Sequence, residues 1–247
     1  MRVAVVGSTG RIGSRTLAAL HRMGHETVAI SRSEGVDVRT GEGLVTALTR
    51  VDAVVDASSS AATDDDEVIA FFTESTRNLL DAEGRTGVQH HVLLSIVGLD
   101  RFYGNAHCEG KRAQEELVRS GPVPWSVVRA TQFHDYAEQV TIWNEHDGSA
   151  TIAPLLVQPV APADVADVLA EVAIGQPRGR CPDLAGPEPQ DLVDLARRTR
   201  AVRGTPIRLV PTWSGGLGVD MAGDVLLPGP GARVAPTTFD EWLAGEG

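Results

Sequence analysis

Three glycines, Gly7, Gly10 and Gly13, stand three residues apart directly behind a short apolar run, in MRVAVVGSTGRIGSRT. The spacing suits a strand, a tight turn and a helix start. A helix start exposes N–H groups without partners and carries the positive end of the helix dipole, so it attracts phosphate. Gly7 permits the turn, Gly10 lets the backbone approach a pyrophosphate, and Gly13 lets the helix pack closely on its strand. Ser8 and Thr9 add hydroxyl donors, and Arg11 and Ile12 complete the loop. The pattern is GxxGxxG rather than GxGxxG, and it is expected to bind a dinucleotide. The bland alternative is a turn whose glycines serve packing alone.

The end of the next apolar run selects the dinucleotide. A carboxylate there accepts hydrogen bonds from the ribose hydroxyls of NAD(H). Here the chain reads AISRSEG: Ser31, then Arg32, with no carboxylate before Glu34. Arg32 can pair with a 2′-phosphate and stack on adenine, so NADP(H) is expected. A surface arginine without a ligand is the alternative.

The elements that must position these groups alternate. Strands are expected at 3–7, 26–31, 51–58, 90–97 and 125–130, with helices at 11–23, 43–50, 65–83, 105–120 and 133–145. Strands alternating with helices imply a doubly wound parallel sheet of the Rossmann kind, in the α/β class. Such sheets bind ligands at the carboxyl ends of their strands. That rule selects loops 7–13, 31–33, 57–62, 95–104 and 130–136. Beyond residue 148 prolines crowd in and short strands mix with helices at 162–174 and 189–203. The expectation is a Rossmann domain over 1–148 and a smaller, substrate-covering lobe over 149–247, joined without a clear linker.

Bulk properties narrow the classes of partner. The 247 residues carry a net charge of −11, which disfavours nucleic acid and anionic membranes as main partners. No stretch approaches the roughly 18 apolar residues of a membrane span. The N-terminal run is too short for a secretory signal, and two cysteines, Cys108 and Cys181, match no metal spacing. A cytoplasmic protein acting on a small molecule is expected, without a metal; the sequence sets no oligomeric state. His90 and His91 are adjacent on a strand and point to opposite faces, so they cannot chelate together. Cys108 reads as a packing residue, and Asp64–Glu67 as the capped start of a helix.

Together GSTGRIG, the SRS end of the second strand, VDAVVDAS, HHVLLSIVGLDR, GKRAQEELVRSGPVPWSVVRATQFHDY and the terminal TFDEWLA resemble the NmrA-like, atypical branch of the short-chain dehydrogenase/reductase superfamily. The resemblance runs over nearly the whole chain and is most specific in 91–136. It implies a Rossmann fold and NADP(H). It implies no single activity, because the branch holds quinone and isoflavone-type reductases and also regulators that bind the dinucleotide without turnover. By resemblance Ala57, Ser58 and Ser59 pass under the adenine half. The backbone of Thr131 and Gln132 borders the nicotinamide, and Phe133 and His134 face substrate. Ser95 matches a position that often carries a catalytic serine or threonine.

The superfamily's chemistry uses a Tyr-x-x-x-Lys pair on one helix face, where residues four apart are neighbours. By resemblance Lys111 matches the lysine, which holds the nicotinamide ribose of the cofactor, but His107 stands where the tyrosine would be. The two tyrosines of the chain, Tyr103 and Tyr136, lack that spacing. Three readings remain open. His107 donates the proton. Or Lys111 is the acid/base, or Tyr103 or Tyr136 swings in. Or no donor is needed, as in a sensor or a reductase of a quinone-like acceptor. The favoured expectation is an NADP(H)-dependent reductase of a small carbonyl, quinone or enone, bound between loops 95–104 and 130–136 and the 149–247 lobe. The alternatives are a non-catalytic NADP(H) sensor and a redox-neutral epimerase or cyclase.

Overall fold

Valine- and isoleucine-rich runs form the strands, and glycines and caps punctuate the helices between them. The computed structural model describes residues 1–214 and 218–245. The chain begins with β1 (Arg2–Val6), α1 (Arg11–Arg22), β2 (Glu26–Ile30), α2 (Leu44–Ala47), β3 (Ala53–Asp56) and α3 (Asp65–Thr86). It continues with β4 (His90–Ile96), α4 (Ala106–Ser120), β5 (Trp125–Ala130) and α5 (Tyr136–Trp143). Then follow β6 (Glu145–His146), β7 (Ser149–Ile152), β8 (Leu156–Val157), α6 (Pro162–Ala173), β9 (Gly179–Arg180) and β10 (Leu184–Ala185). The last elements are β11 (Gln190–Asp191), α7 (Leu192–Val202), β12 (Arg208–Pro211), β13 (Arg233–Val234) and α8 (Phe239–Gly245). The Asp64 side chain caps α3 by accepting from the Glu67 N–H, and Gly87 ends that helix in the left-handed region.

Two compact units are interleaved in sequence. The first holds Met1–Leu99, Tyr103–Arg129 and Val165–Cys181, and the second Asp100–Phe102, Ala130–Asp164 and Pro182–Gly247. No single cut at 148/149 separates them, because α6 and β9 return to the first unit. Three contacts bring them back. Asp167 pairs with Arg22, the Arg178 N–H donates to Ser126 Oγ at 2.9 Å, and the Cys181 N–H donates to the Val127 carbonyl at 3.0 Å.

In the first unit the strands run in the order β2-β1-β3-β4-β5. β1 pairs parallel with β2 (Val3↔Thr27) and with β3 (Val3↔Ala53), and β3 pairs parallel with β4 (Asp56↔Leu93). The order reverses between β1 and β3, so the loops after these two strands flank the crevice where open α/β sheets bind ligands. One face buries Ala4, Val6, Ile30, Leu44, Leu48, Val54 and Leu79; another cluster packs Leu80, Leu93, Val118 and Val127. This is the expected doubly wound sheet.

The second unit is built from short pieces. β7 pairs parallel with β12 and antiparallel with β6, β8 pairs with β11, and β10 pairs with β13 and, through Leu184, with Ala130. Among the described residues no helix is long and apolar enough to cross a membrane.

Candidate cofactor site

The glycine loop follows β1. Gly7 has φ +73°, and its N–H and that of Ser8 donate to the Ile30 carbonyl at 3.1 and 3.3 Å. The Gly10 N–H turns back to the Gly7 carbonyl at 2.8 Å. A Cβ on Gly7 would lie 2.8 Å from the Ala57 carbonyl oxygen and 3.2 Å from the Ser58 Cα, and one on Gly13 would lie 2.2 Å from the Gly7 oxygen. Both positions therefore exclude every larger residue. Gly10 is the N-cap of α1, with extended backbone and no side chain to cap the first turn. That turn presents its N–H groups outward. Thr9 and Arg11 are exposed there, whereas Ile12 is buried, so Ile12 contributes backbone only.

Among the described residues, two buried hydroxyls at this crevice, Ser8 Oγ and Ser58 Oγ, have no hydrogen-bond partner. A buried hydroxyl without a partner is costly, and a bound phosphate or ribose would satisfy it. The glycine-only loop, the open helix start and the two hydroxyls together fit a dinucleotide. Ala57 and Ser59 flank Ser58 at the end of β3, half-buried and exposed respectively. At the end of β2, Ser31 Oγ hydrogen-bonds Ser33 Oγ at 2.8 Å. Arg32 is exposed in a one-turn 3₁₀ helix, and among the described residues its guanidinium has no partner.

Helix α4 carries the second constellation. The Asn105 side chain caps it by accepting from the Cys108 N–H at 3.1 Å. His107 and Lys111 lie one turn apart against Phe72 of α3. The His107 ring meets the Phe72 ring edge-on at 5.0 Å, and Lys111 Nζ lies 4.8 Å from the Phe72 centroid. Gly110 admits this ring: a Cβ there would lie 2.4 Å from Phe72 Cδ2.

Lys111 is only 5% exposed. Its Nζ donates to the Leu94 carbonyl at 3.0 Å, to Gln114 Oε1 at 2.9 Å and to the Ser58 carbonyl at 3.4 Å. Burial lowers its pKa to about 8, with the carboxylates of Asp56 and Glu115 opposing the shift. Burial, aided by the Lys111 charge, lowers His107 to about 4, so its imidazole is neutral at neutral pH. Ser95 Oγ donates to Glu115 Oε1, and Glu115 also takes a two-pronged ion pair from Arg129, with both bonds at 2.7 Å. Tyr103 is 67% exposed in the loop entering α4, and its ring lies 4.5 Å from the Arg112 guanidinium carbon. Burial pushes the Cys108 thiol up to about 11, which leaves it unreactive.

The segment after β5 belongs to the second unit. The Thr131 N–H donates to the Leu184 carbonyl at 2.9 Å and its hydroxyl to the Gln158 carbonyl at 2.6 Å. The Val160 N–H donates to the Gln132 carbonyl at 2.8 Å, and Phe133 bridges to Val160. Gln132 Oε1 is buried without a partner among the described residues. His134 is 1% exposed, with ring contacts to Phe239 and Trp242 and Nε2 3.1 Å from the Thr237 carbonyl. The resemblance puts His134 toward substrate; here its ring fills the core beneath α8.

Sequence reasoning missed the groups that hold Lys111. Gln114 Nε2 donates to Asp56 Oδ2 at 2.7 Å, and Asp56 Oδ1 accepts from the Ser58 N–H at 2.9 Å. Two signals were present. Asp56 is a carboxylate closing an otherwise apolar strand, and Gln114 lies three residues after Lys111 on the same helix face. Glu83 and His91 form a second buried pair, 2.8 Å apart. Among the described residues no cluster of His, Cys, Asp or Glu could hold a metal.

A family model described as NAD(P)H-binding matches residues 7–174. The chain is 28% identical over 260 residues to the (4-alkanoyl-5-oxo-2,5-dihydrofuran-3-yl)methyl phosphate reductase of Streptomyces griseus, covering 98% of this chain and 84% of that one. It is 32% identical over 147 residues to the photosystem II assembly factor Ycf39 of Synechocystis, covering 54% of this chain and 45% of that one. Among solved structures, a short-chain dehydrogenase/reductase superfamily protein of Agrobacterium tumefaciens with bound NAD superposes with a TM-score of 0.72 at 21% identity, covering 99% and 95% of the two chains. The family model spans residues 7–174, and with the Rossmann sheet and the glycine cradle it shows that the chain belongs to the NAD(P)H-binding family.

Proposed function

We propose that this protein is an NADPH-dependent reductase of a small conjugated acceptor, a quinone or an enone, rather than of an isolated ketone. When bound, the reduced nicotinamide supplies the hydride equivalent.

The choice of cofactor rests on Arg32. An exposed guanidinium at the end of β2, where NAD-binding relatives of this fold place a carboxylate, suits a 2′-phosphate. The choice of acceptor rests on proton supply. In the superfamily pattern, positions 95, 107 and 111 border the nicotinamide, and none of the three holds a ready acid. The Ser95 proton is directed at Glu115, His107 is neutral with a pKa near 4, and all three Lys111 protons have acceptors. An isolated ketone becomes a strongly basic alkoxide and needs a positioned acid. A quinone becomes a phenolate-like anion, whose conjugate acid has a pKa of about 10, and water can protonate it. The observation that carries the reading is thus the engagement of the Ser95 and Lys111 protons by acceptors within the protein.

The likeness to a reductase whose named substrate is a conjugated dihydrofuranone supports the same class. A cytoplasmic location fits an NADPH-consuming enzyme with two buried free cysteines. The test is steady-state NADPH oxidation with a benzoquinone, a cyclic enone and a saturated cyclic ketone. Turnover of the first two at least 100-fold above the third is expected. Equal turnover of all three would require a protein acid and overturn the choice of acceptor. Tight binding without turnover of any would favour a regulator, the reading suggested by the likeness to an assembly factor.

A further inference from the structure

We infer that Asp56, Gln114 and Lys111 form a buried positioning device that holds Ser58 so that its hydroxyl is a preset donor to the dinucleotide. The inference rests on dinucleotide binding at the glycine cradle.

The groups close a ring. Asp56 accepts the Ser58 N–H with one oxygen and the Gln114 amide with the other, at 2.9 and 2.7 Å. Gln114 turns its oxygen to Lys111 Nζ at 2.9 Å, and Nζ reaches the Ser58 carbonyl at 3.4 Å. Ser58 is thus held from its N–H by a carboxylate and from its C=O by an ammonium. The Gln114 amide has one sensible orientation. Flipped, its NH₂ would face an ammonium and its oxygen a carboxylate. Lys111 has three protons, and Leu94 accepts the third at 3.0 Å, so the ammonium also ties the ends of β3 and β4 together.

The ring is dry: Asp56 is 1%, Gln114 0% and Lys111 5% exposed. Buried charges persist when paired and fully hydrogen-bonded, and these are. The Ser58 hydroxyl is the one polar atom of Ser58 left over. Ser58 is only 6% exposed, its hydroxyl has no partner among the described residues, and its Cα lies 3.2 Å from where a Gly7 Cβ would be. A hydroxyl on a backbone held from both sides at the cradle, with nothing among the described residues to bond, points to an acceptor on the ligand.

A double-mutant cycle tests this, read as NADPH affinity by tryptophan fluorescence. Ser58→Ala removes only an unpartnered hydroxyl and should leave folding intact while weakening NADPH about tenfold. Gln114→Leu should also weaken it about tenfold, and the double variant should be within about twofold of either single one. Multiplied effects would overturn the inference, as would an unchanged affinity in Ser58→Ala. Failure of the wild type to bind either dinucleotide would instead sink the cofactor reading itself.

The cofactor-free protein offers a second readout. The charged or titratable groups acting with Lys111 are Asp56 from β3, His91 from β4, and His107 and Glu115 from its own helix. Gln114→Leu removes a bond made to the charged ammonium. The Lys111 titration, followed by NMR on ε-¹³C-labelled lysine, should move below its wild-type position near pH 8. An unmoved titration would show that the ring does not hold the ammonium.

Discussion

At Gly13 a single missing methyl group decides whether the loop can exist. A Cβ there would stand 2.2 Å from a backbone oxygen that cannot move without dismantling the turn. Gly13→Ala is expected to cost about 1–3 kcal/mol of stability and to abolish dinucleotide binding, measured by urea unfolding and titration. His107 supplies a pH prediction. Its pKa falls from 6.5 in the unfolded chain to about 4 in the folded one. The unfolded state therefore binds more protons between these values. The His107 contribution is fully present above pH 6.5 and is lost as pH falls toward 4. In urea midpoints across that window, His107→Phe should fall less steeply than the wild type. An identical slope would show that the ring is not desolvated. The glycines and Arg32 were legible from residue type and spacing, and His107 and Lys111 from the resemblance to the superfamily's helix pair. The burial of His134 was not, because its partners Phe239 and Trp242 lie more than a hundred residues away.

At the scale of elements, α3 and α4 form the wall behind Lys111. Gly110 is the point of closest approach, where Phe72 occupies the space a side chain would take. Gly110→Ala should destabilise the protein by about 1–3 kcal/mol, and Gly110→Ala with Phe72→Leu should recover part of it, measured by thermal or urea unfolding. A neutral Gly110→Ala would contradict the packing. The strands and helices of the first unit follow from apolar runs, glycine stops and caps, and the parallel sense of the sheet follows from their alternation. What the sequence could not convey was the ring at Asp56. An acidic residue ending an apolar strand and a glutamine on a helix are each ordinary. They become a site only when the sheet brings residues 56 and 114 within hydrogen-bonding distance.

At the scale of the whole chain, the interleaving of the two units carries a consequence. Texture along the sequence suggests a break near 148, because prolines accumulate beyond it, but the first unit takes back Val165–Cys181. Leu169, Ala170 and Ala173 of α6 are fully buried, and β9 pairs with β5. A fragment ending at residue 148 is expected to lose cooperative unfolding, seen as a broad urea transition by circular dichroism. A sharp, wild-type-like transition would show that α6 and β9 are dispensable. The central claim, that the cradle and Arg32 together select NADP(H), is tested most directly by titrating the protein with NADPH and with NADH under the same conditions. At least tenfold tighter binding of NADPH is expected, reduced to parity in Arg32→Ala. Equal affinities in the wild type, or a preference for NADH, would contradict it.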